Sequence, residues 1–277
     1  MRSLDTTIRI QANSKSKINI KELWLFRELL YFFAWRDIKV RYKQSALGAG
    51  WAILQPLLAA GIFTLFFNRV AKIPSGAANI PYPVFAYLGL TYWNSFSNAL
   101  SSVSNSLVGS QGLLTKIYFP RLIPPLAAIA VSLVDFCFAI SVFFVLLVGF
   151  RVVPKPEGLL FMIPSLVLIL VAALGVGIFF AALNVKYRDV RSALPFIIQI
   201  GFFMTPVIYP VSMIPVRYQI YMYINPAAGA VNTVKGGLFG EPINWLGLLI
   251  SWVSAIITVF IGLWYFKKTE KNFVDII

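Results

Sequence analysis

Histidine is absent from this sequence, cysteine occurs once, and acidic residues number only ten in 277. Without histidine, both the commonest general base and the commonest metal ligand are missing. Cys137 lies alone inside an apolar run, so neither a disulfide nor a thiolate metal cluster is available. The few carboxylates are scattered and do not supply the acidic cluster or surface metal site that a membrane glycosyltransferase needs. No Gly-Lys dipeptide occurs anywhere, which excludes a phosphate-cradling P-loop. Residues 1–20 contain no apolar core of signal-peptide length, so targeting is expected to come from the first membrane span.

What the chain has is grease and positive charge. Hydrophobic residues make up 59% of it, against about 45–50% in a soluble domain. The net charge of +14 would point to nucleic acid in a soluble protein. Here the basic residues sit between apolar runs, so a membrane is the expected partner and nucleic acid is not. A helix needs about 20 apolar residues to cross the hydrocarbon. Charge-free stretches of that order predict six spans, near 47–68, 82–106, 124–149, 159–183, 193–209 and 244–266. The fold class expected is therefore all-α integral membrane, with residues 1–43 as a cytosolic arm and 44–277 as the membrane domain. The arm, the tail and the loops 107–121 and 184–192 carry 18 of the 24 Lys/Arg. The positive-inside rule then puts both termini in the cytosol.

Two segments depart from a simple up-and-down count. Residues 218–234, YQIYMYINPAAGAVNTV, are apolar but short for a span and contain Pro226. They read as a re-entrant hairpin at the outer face or as two helices lying flat outside. Residues 20–43, IKELWLFRELLYFFAWRDIKVRYK, place Leu23, Phe26, Leu30 and Phe33 at helical spacing in a stretch dense with aromatics, Trp24, Phe26, Tyr31, Phe32, Phe33 and Trp35 among them. This predicts an amphipathic helix in the headgroup layer. Its end, with Arg36, Asp37, Lys39, Arg41 and Tyr42, forms a charged hinge directly before an uncharged run that lasts until Arg69.

The wording of that junction, RDIKVRYKQSALGAGWAILQPL, resembles the start of the first span in type-2 ATP-binding-cassette exporter permeases of the polysaccharide branch. That branch handles O antigen, capsule and teichoic acid. LLTKIYFPRLIPPLAAIA (113–130), NVKYRDVR (184–191) and MTPVIYP (204–210) followed by YINPAAGAVN are similar to later segments of that family, in the same order. The resemblance implies an interface helix at the N-terminus and a homodimer of this chain flanked by two copies of a separate ATPase subunit. No cofactor would be bound by this chain, ATP being used by the partner. The implied substrate is a lipid-linked glycan moved outward across the bacterial plasma (inner) membrane. It also implies ATPase contact through Lys116, Tyr118, Phe119 and Arg121, with a smaller contact through Tyr187, Arg188 and Asp189. The alternatives are a type-2 permease for drugs or small lipid-like molecules and an ion-coupled secondary transporter. The latter would need several intramembrane ionisable groups and internal repeats.

The second span adds its own evidence. Tyr87, Thr91, Asn94, Asn98, Ser101 and Asn105 recur at steps of three and four and so line one helical face. Amides are costly against lipid, so the stripe faces protein or water. It reads either as interhelical glue or as a wall of neutral groups for sugar hydroxyls. Tyrosines 82, 87, 92, 209, 218, 221 and 223, with Trp93, are candidates for stacking on sugar faces or for an interfacial aromatic belt. Asp135 is the one ionisable residue well inside an expected span. It lies about 16 Å in from Pro124, with no cation expected at its depth.

Overall fold

The computed structural model describes residues 20–43, 50–76, 80–187, 189–270 and 273. Among these there is no strand. Helices α1 (Ile20–Leu25) and α2 (Arg27–Lys43) form the arm, with the break at Phe26. Helix α3 (Gly50–Phe63) continues as a π-helical turn, Thr64–Val70. Then come α4 (Tyr82–Gly109), the short α5 (Gln111–Leu114), α6 (Ile123–Gly149), α7 (Pro156–Lys186), α8 (Asp189–Phe203), α9 (Val216–Met222), α10 (Pro226–Phe239) and α11 (Trp245–Thr269).

Local chemistry explains most of the helix ends. Prolines open α4, α6, α7 and α10 at the first turn, where the missing N–H costs nothing. Asn225 and Asn244 cap α10 and α11, accepting from Ala227 N at 3.1 Å and Gly247 N at 2.9 Å. Gly240, at φ +81°, ends α10 in the left-handed region that favours glycine.

Among the described residues, four segments have the length and composition of membrane spans: Ile53–Val70, Ile123–Gly149, Pro156–Lys186 and Trp245–Thr269. Helix α4 has 28 residues, ample for a crossing, but its polar stripe dilutes its hydropathy. Helix α8 stops after 15 residues, about 22 Å, and the chain continues through turns to Pro210.

The core is built around α4 and α7. Helix α4 is buried along most of its length against α3, α6, α7 and α10, and α7 packs in turn on α10 and α11. Close approach of α7 and α11 depends on Gly175 and Gly262. A Cβ on Gly175 would fall 2.5 Å from the Val259 nitrogen, and one on Gly262 would collide with the Gly175 carbonyl. Polar ties cross the same core. Tyr87 Oη donates to Ala139 O at 2.9 Å, Tyr92 Oη to Met162 O at 2.9 Å, and Asn184 Nδ2 to Ser104 O at 2.8 Å. Helix α10 is almost wholly buried within this bundle, not laid along its outside.

Candidate functional site

The arm and the membrane domain meet along α2 and α6. The stripe expected to face lipid packs instead on α6: Phe33 is buried against Phe119, with ring centroids 5.5 Å apart, and clusters with Ile123 and Ala127. The opposite side of the arm exposes Trp24, Tyr31, Phe32 and Trp35. Both sides are thus apolar, the outer one aromatic. Further along, Tyr42 meets Phe138 edge-on at 5.9 Å. Helix α2 therefore follows α6 from Ile123 to beyond Asp135, a path of about 18 Å.

That course overturns one expectation. A cation does stand beside Asp135. Arg41 Nη2 lies 2.6 Å from Asp135 Oδ2, and Tyr42 Oη donates to Oδ1 at 2.5 Å. Counting depth from Pro124 assumed that α6 enters the membrane at its first turn. Helix α2 in fact accompanies those turns and delivers the charged hinge to the carboxylate. The Asp135 side chain is 7% exposed and the Arg41 side chain 42%, so the pair joins a buried anion to a half-solvated cation.

Beside the pair opens a cleft of about 50 Å³, lined by Arg41, Trp51, Gln55, Asn94, Asn98 and Asp135. It is large enough for a few water molecules. A wider cleft of about 310 Å³ continues along the same side of α4, bounded by Arg36, Asp37, Arg41, Ser102, Asn105 and Ser106. Arg41 belongs to both. Within the hinge, Arg36 pairs with Asp37 at 2.8 Å and covers the Phe33 ring, while Lys39 lies over Trp35. Residues 44–49, which complete the junction, lie outside the described residues.

The expected stripe divides accordingly. Asn94 and Asn98 face the first cleft and Asn105 the second, where its Nδ2 donates to Ser101 O at 2.8 Å. Ser101 is half-buried. Thr91 lines the first cleft but donates its hydroxyl to Tyr87 O. Tyr87 is fully buried and its hydroxyl is consumed by α6, so it works as glue between helices.

The two basic loops present different faces. In the first, Lys116, Ile117 and Tyr118 are exposed, and Tyr118 Oη donates to Glu22 Oε1 at 3.1 Å. Phe119 turns inward onto Phe33 and is 3% exposed. Arg121 Nη1 donates to the Glu270 carbonyl and its guanidinium approaches the Phe273 ring. In the second, Tyr187 is exposed under Lys186, Asp189 is exposed at the start of α8, and Arg188 lies outside the described residues.

Lys235 was missed from the sequence. It is fully buried on α10, donates to Pro206 O at 2.9 Å and Val207 O at 2.7 Å, and sits 3.5 Å over the Phe85 ring. Its signal was a lone cation at the edge of an otherwise uncharged, apolar run.

A profile of the ABC-2 type transporter family matches residues 28–239, from the first turn of α2 to the end of α10. The chain belongs to the ABC-2 type transporter family. The match takes in both clefts, the Arg41–Asp135 pair and the two loops. Among curated relatives of this family member, an O-antigen export system permease protein RfbA of Klebsiella pneumoniae is 29% identical over 265 residues, 95% of this chain and 99% of that protein. The RfbA permease of Myxococcus xanthus is 32% identical over 197 residues, 70% of this chain and 73% of its own. The polysialic acid transport protein KpsM of Escherichia coli is 24% identical over 250 residues, 85% and 91% of the two chains.

Proposed function

We propose that this chain is the channel subunit of an ATP-driven exporter that moves a lipid-linked polysaccharide outward across the bacterial inner membrane. The observation that carries this reading is the joining of α2 to the amide stripe of α4 through Arg41, Tyr42 and Asp135. A helix on the cytosolic side is thereby coupled to a row of neutral hydrogen-bonding groups suited to hydroxyl-rich cargo. End-to-end similarity to O-antigen export permeases supports the same cargo class. Neither cleft offers the large apolar pocket that a drug permease would use. The four long apolar helices, with α4 and α8 and its turns, make six crossings, and both termini are cytosolic. Helices α9 and α10 form the re-entrant hairpin at the outer face.

In this arrangement two copies of the chain pair around the glycan path and two ATPase subunits drive them from the cytosol. ATP stays with the partner. The exposed crest Lys116–Ile117–Tyr118 inserts into the ATPase, with Phe119 and Arg121 holding it from behind and Tyr187 and Asp189 making a second contact. Closure on ATP pushes the crest and α2 together, the two copies part, and the glycan is threaded outward.

Tagging the chain in its native host and identifying what co-purifies tests this directly. Recovery of an ATPase subunit near equal stoichiometry is expected, and deletion of the chain should remove polysaccharide from the cell surface. A crosslinked homodimer without ATPase would sink the proposal. The paired substitution Ile117→Asp with Tyr118→Ala should reduce ATPase recovery at least tenfold while leaving the amount of membrane-inserted chain unchanged.

A further inference from the structure

At the opposite end of the bundle from the charged hinge lies a third cavity, of about 380 Å³, between the α8–α9 connection, α10 and the α10–α11 loop. Its size falls at the lower end of the range for small-ligand sites, about 300–1,000 Å³. Gln219, Tyr223, Asn232, Glu241 and Asn244 supply its polar lining, and Pro242 and Ile243 part of an apolar wall. Among the described residues, no Lys or Arg lines it. The composition suits a neutral ligand rich in hydroxyls and carrying an apolar face, and it disfavours phosphate.

The polar groups are held in place before any ligand arrives. Gln219 Nε2 donates to Val211 O and Ile214 O, which fixes the amide and leaves its oxygen as an acceptor. Asn232 Nδ2 donates to Tyr223 Oη at 2.9 Å. Asn244 spends its oxygen capping α11 and one amino hydrogen on Tyr223, which leaves its second amino hydrogen as a donor. Gly240 turns the chain through the left-handed region directly before Glu241. Gly76, also at positive φ, leaves room for the carboxyl, since a Cβ there would fall 2.5 Å from Glu241 Oε1. That oxygen is buried and has no hydrogen-bond partner. The carboxyl's second oxygen is the accessible one, and it is left to the cavity that Glu241 lines.

We infer that this cavity is an outer-face binding subsite for one neutral sugar ring, with Glu241 accepting from ring hydroxyls and the amides of Asn232, Gln219 and Asn244 completing its coordination. The inference rests on the export reading and on its outward placement of the α10–α11 loop. It adds a station at which the emerging chain is held after leaving the membrane path. Fixed polar partners lower the ordering cost of capturing each sugar.

Photo-crosslinking in the native host tests this. A benzoylphenylalanine is placed at Ser212, which lines the cavity and is exposed, at Asn98 in the first cleft, and at lipid-facing Phe260 as control. After illumination the tagged chain is purified under denaturing conditions and stained for periodate-sensitive carbohydrate. A glycan ladder is expected from positions 212 and 98 and not from 260. Adding Glu241→Gln should weaken the ladder at 212 at least fivefold and leave that at 98 unchanged. A ladder at 98 alone, or one at 212 indifferent to Glu241→Gln, overturns the subsite while export stands. No ladder at either position, together with unaltered surface polysaccharide on deletion of the chain, overturns the export reading itself.

Discussion

Replacing Arg41 by alanine is expected to destabilise this protein more than replacing its partner Asp135. The asymmetry follows from burial. Asp135→Ala leaves a guanidinium that is already 42% exposed and can turn to water, so the cost is about 1 kcal/mol. Arg41→Ala leaves a carboxylate that is 7% exposed with only the Tyr42 hydroxyl to serve it, at about 2–4 kcal/mol. The double variant should regain most of that difference, because the stranded anion is gone. Thermal unfolding of the four proteins in one detergent closes the cycle. Export should follow another order, with surface polysaccharide falling in all three variants because the C-terminal end of α2 loses its tie to α6. Strictly additive stabilities would show that the two side chains do not act on each other.

Lys235→Leu carries the second large effect. The lysine donates to Pro206 O and Val207 O, where the chain turns after α8, and no other donor among the described residues replaces those bonds. Leucine matches the stem's apolar packing against Phe85 but offers no donor. Each stranded carbonyl costs about 1–3 kcal/mol, so a loss of about 2–6 kcal/mol is expected for the two. Gly89 leaves no space for a compensating shift, because a Cβ there would already crowd Val207 O and the Lys235 ammonium. The measurement is the yield of folded chain and its melting temperature beside Arg217→Ala, a change on an exposed cation that should alter neither. Folded yield equal to the unsubstituted protein would mean that water can serve the two carbonyls.

Much of this architecture was legible because hydrocarbon thickness and charge placement act over whole segments. The long apolar runs became α6, α7 and α11 with boundaries close to those expected, since proline, glycine and charge mark them in the sequence. The stripe on α4 was legible as a periodicity, but which members face a cleft was not. Tyr87 and Asn94 have the same spacing and opposite fates, decided by what α6 presents opposite each. The Arg41–Asp135 pair was hidden for a related reason. The two residues are 94 positions apart, and their meeting depends on α2 lying along α6, a choice made by Phe33 and Phe119 that no local pattern encodes. Phe119 looked like part of a docking surface because exposed and inward aromatics read alike in one dimension.

The attachment of the first basic loop has a mechanical consequence. Phe119 pins it to α2, Arg121 pins it to Glu270 at the end of α11, and Tyr118 in the crest is tied to Glu22 of α1. A force applied at Tyr118 meets a rigid bracket, with little slack to absorb it. The load passes into two helices at once, α2 packed on α6 and α11 packed on α7, and α6 and α7 in turn pack on α4. Under the proposed function, the stiffness of this bracket would govern how much of a push at Tyr118 reaches the bundle.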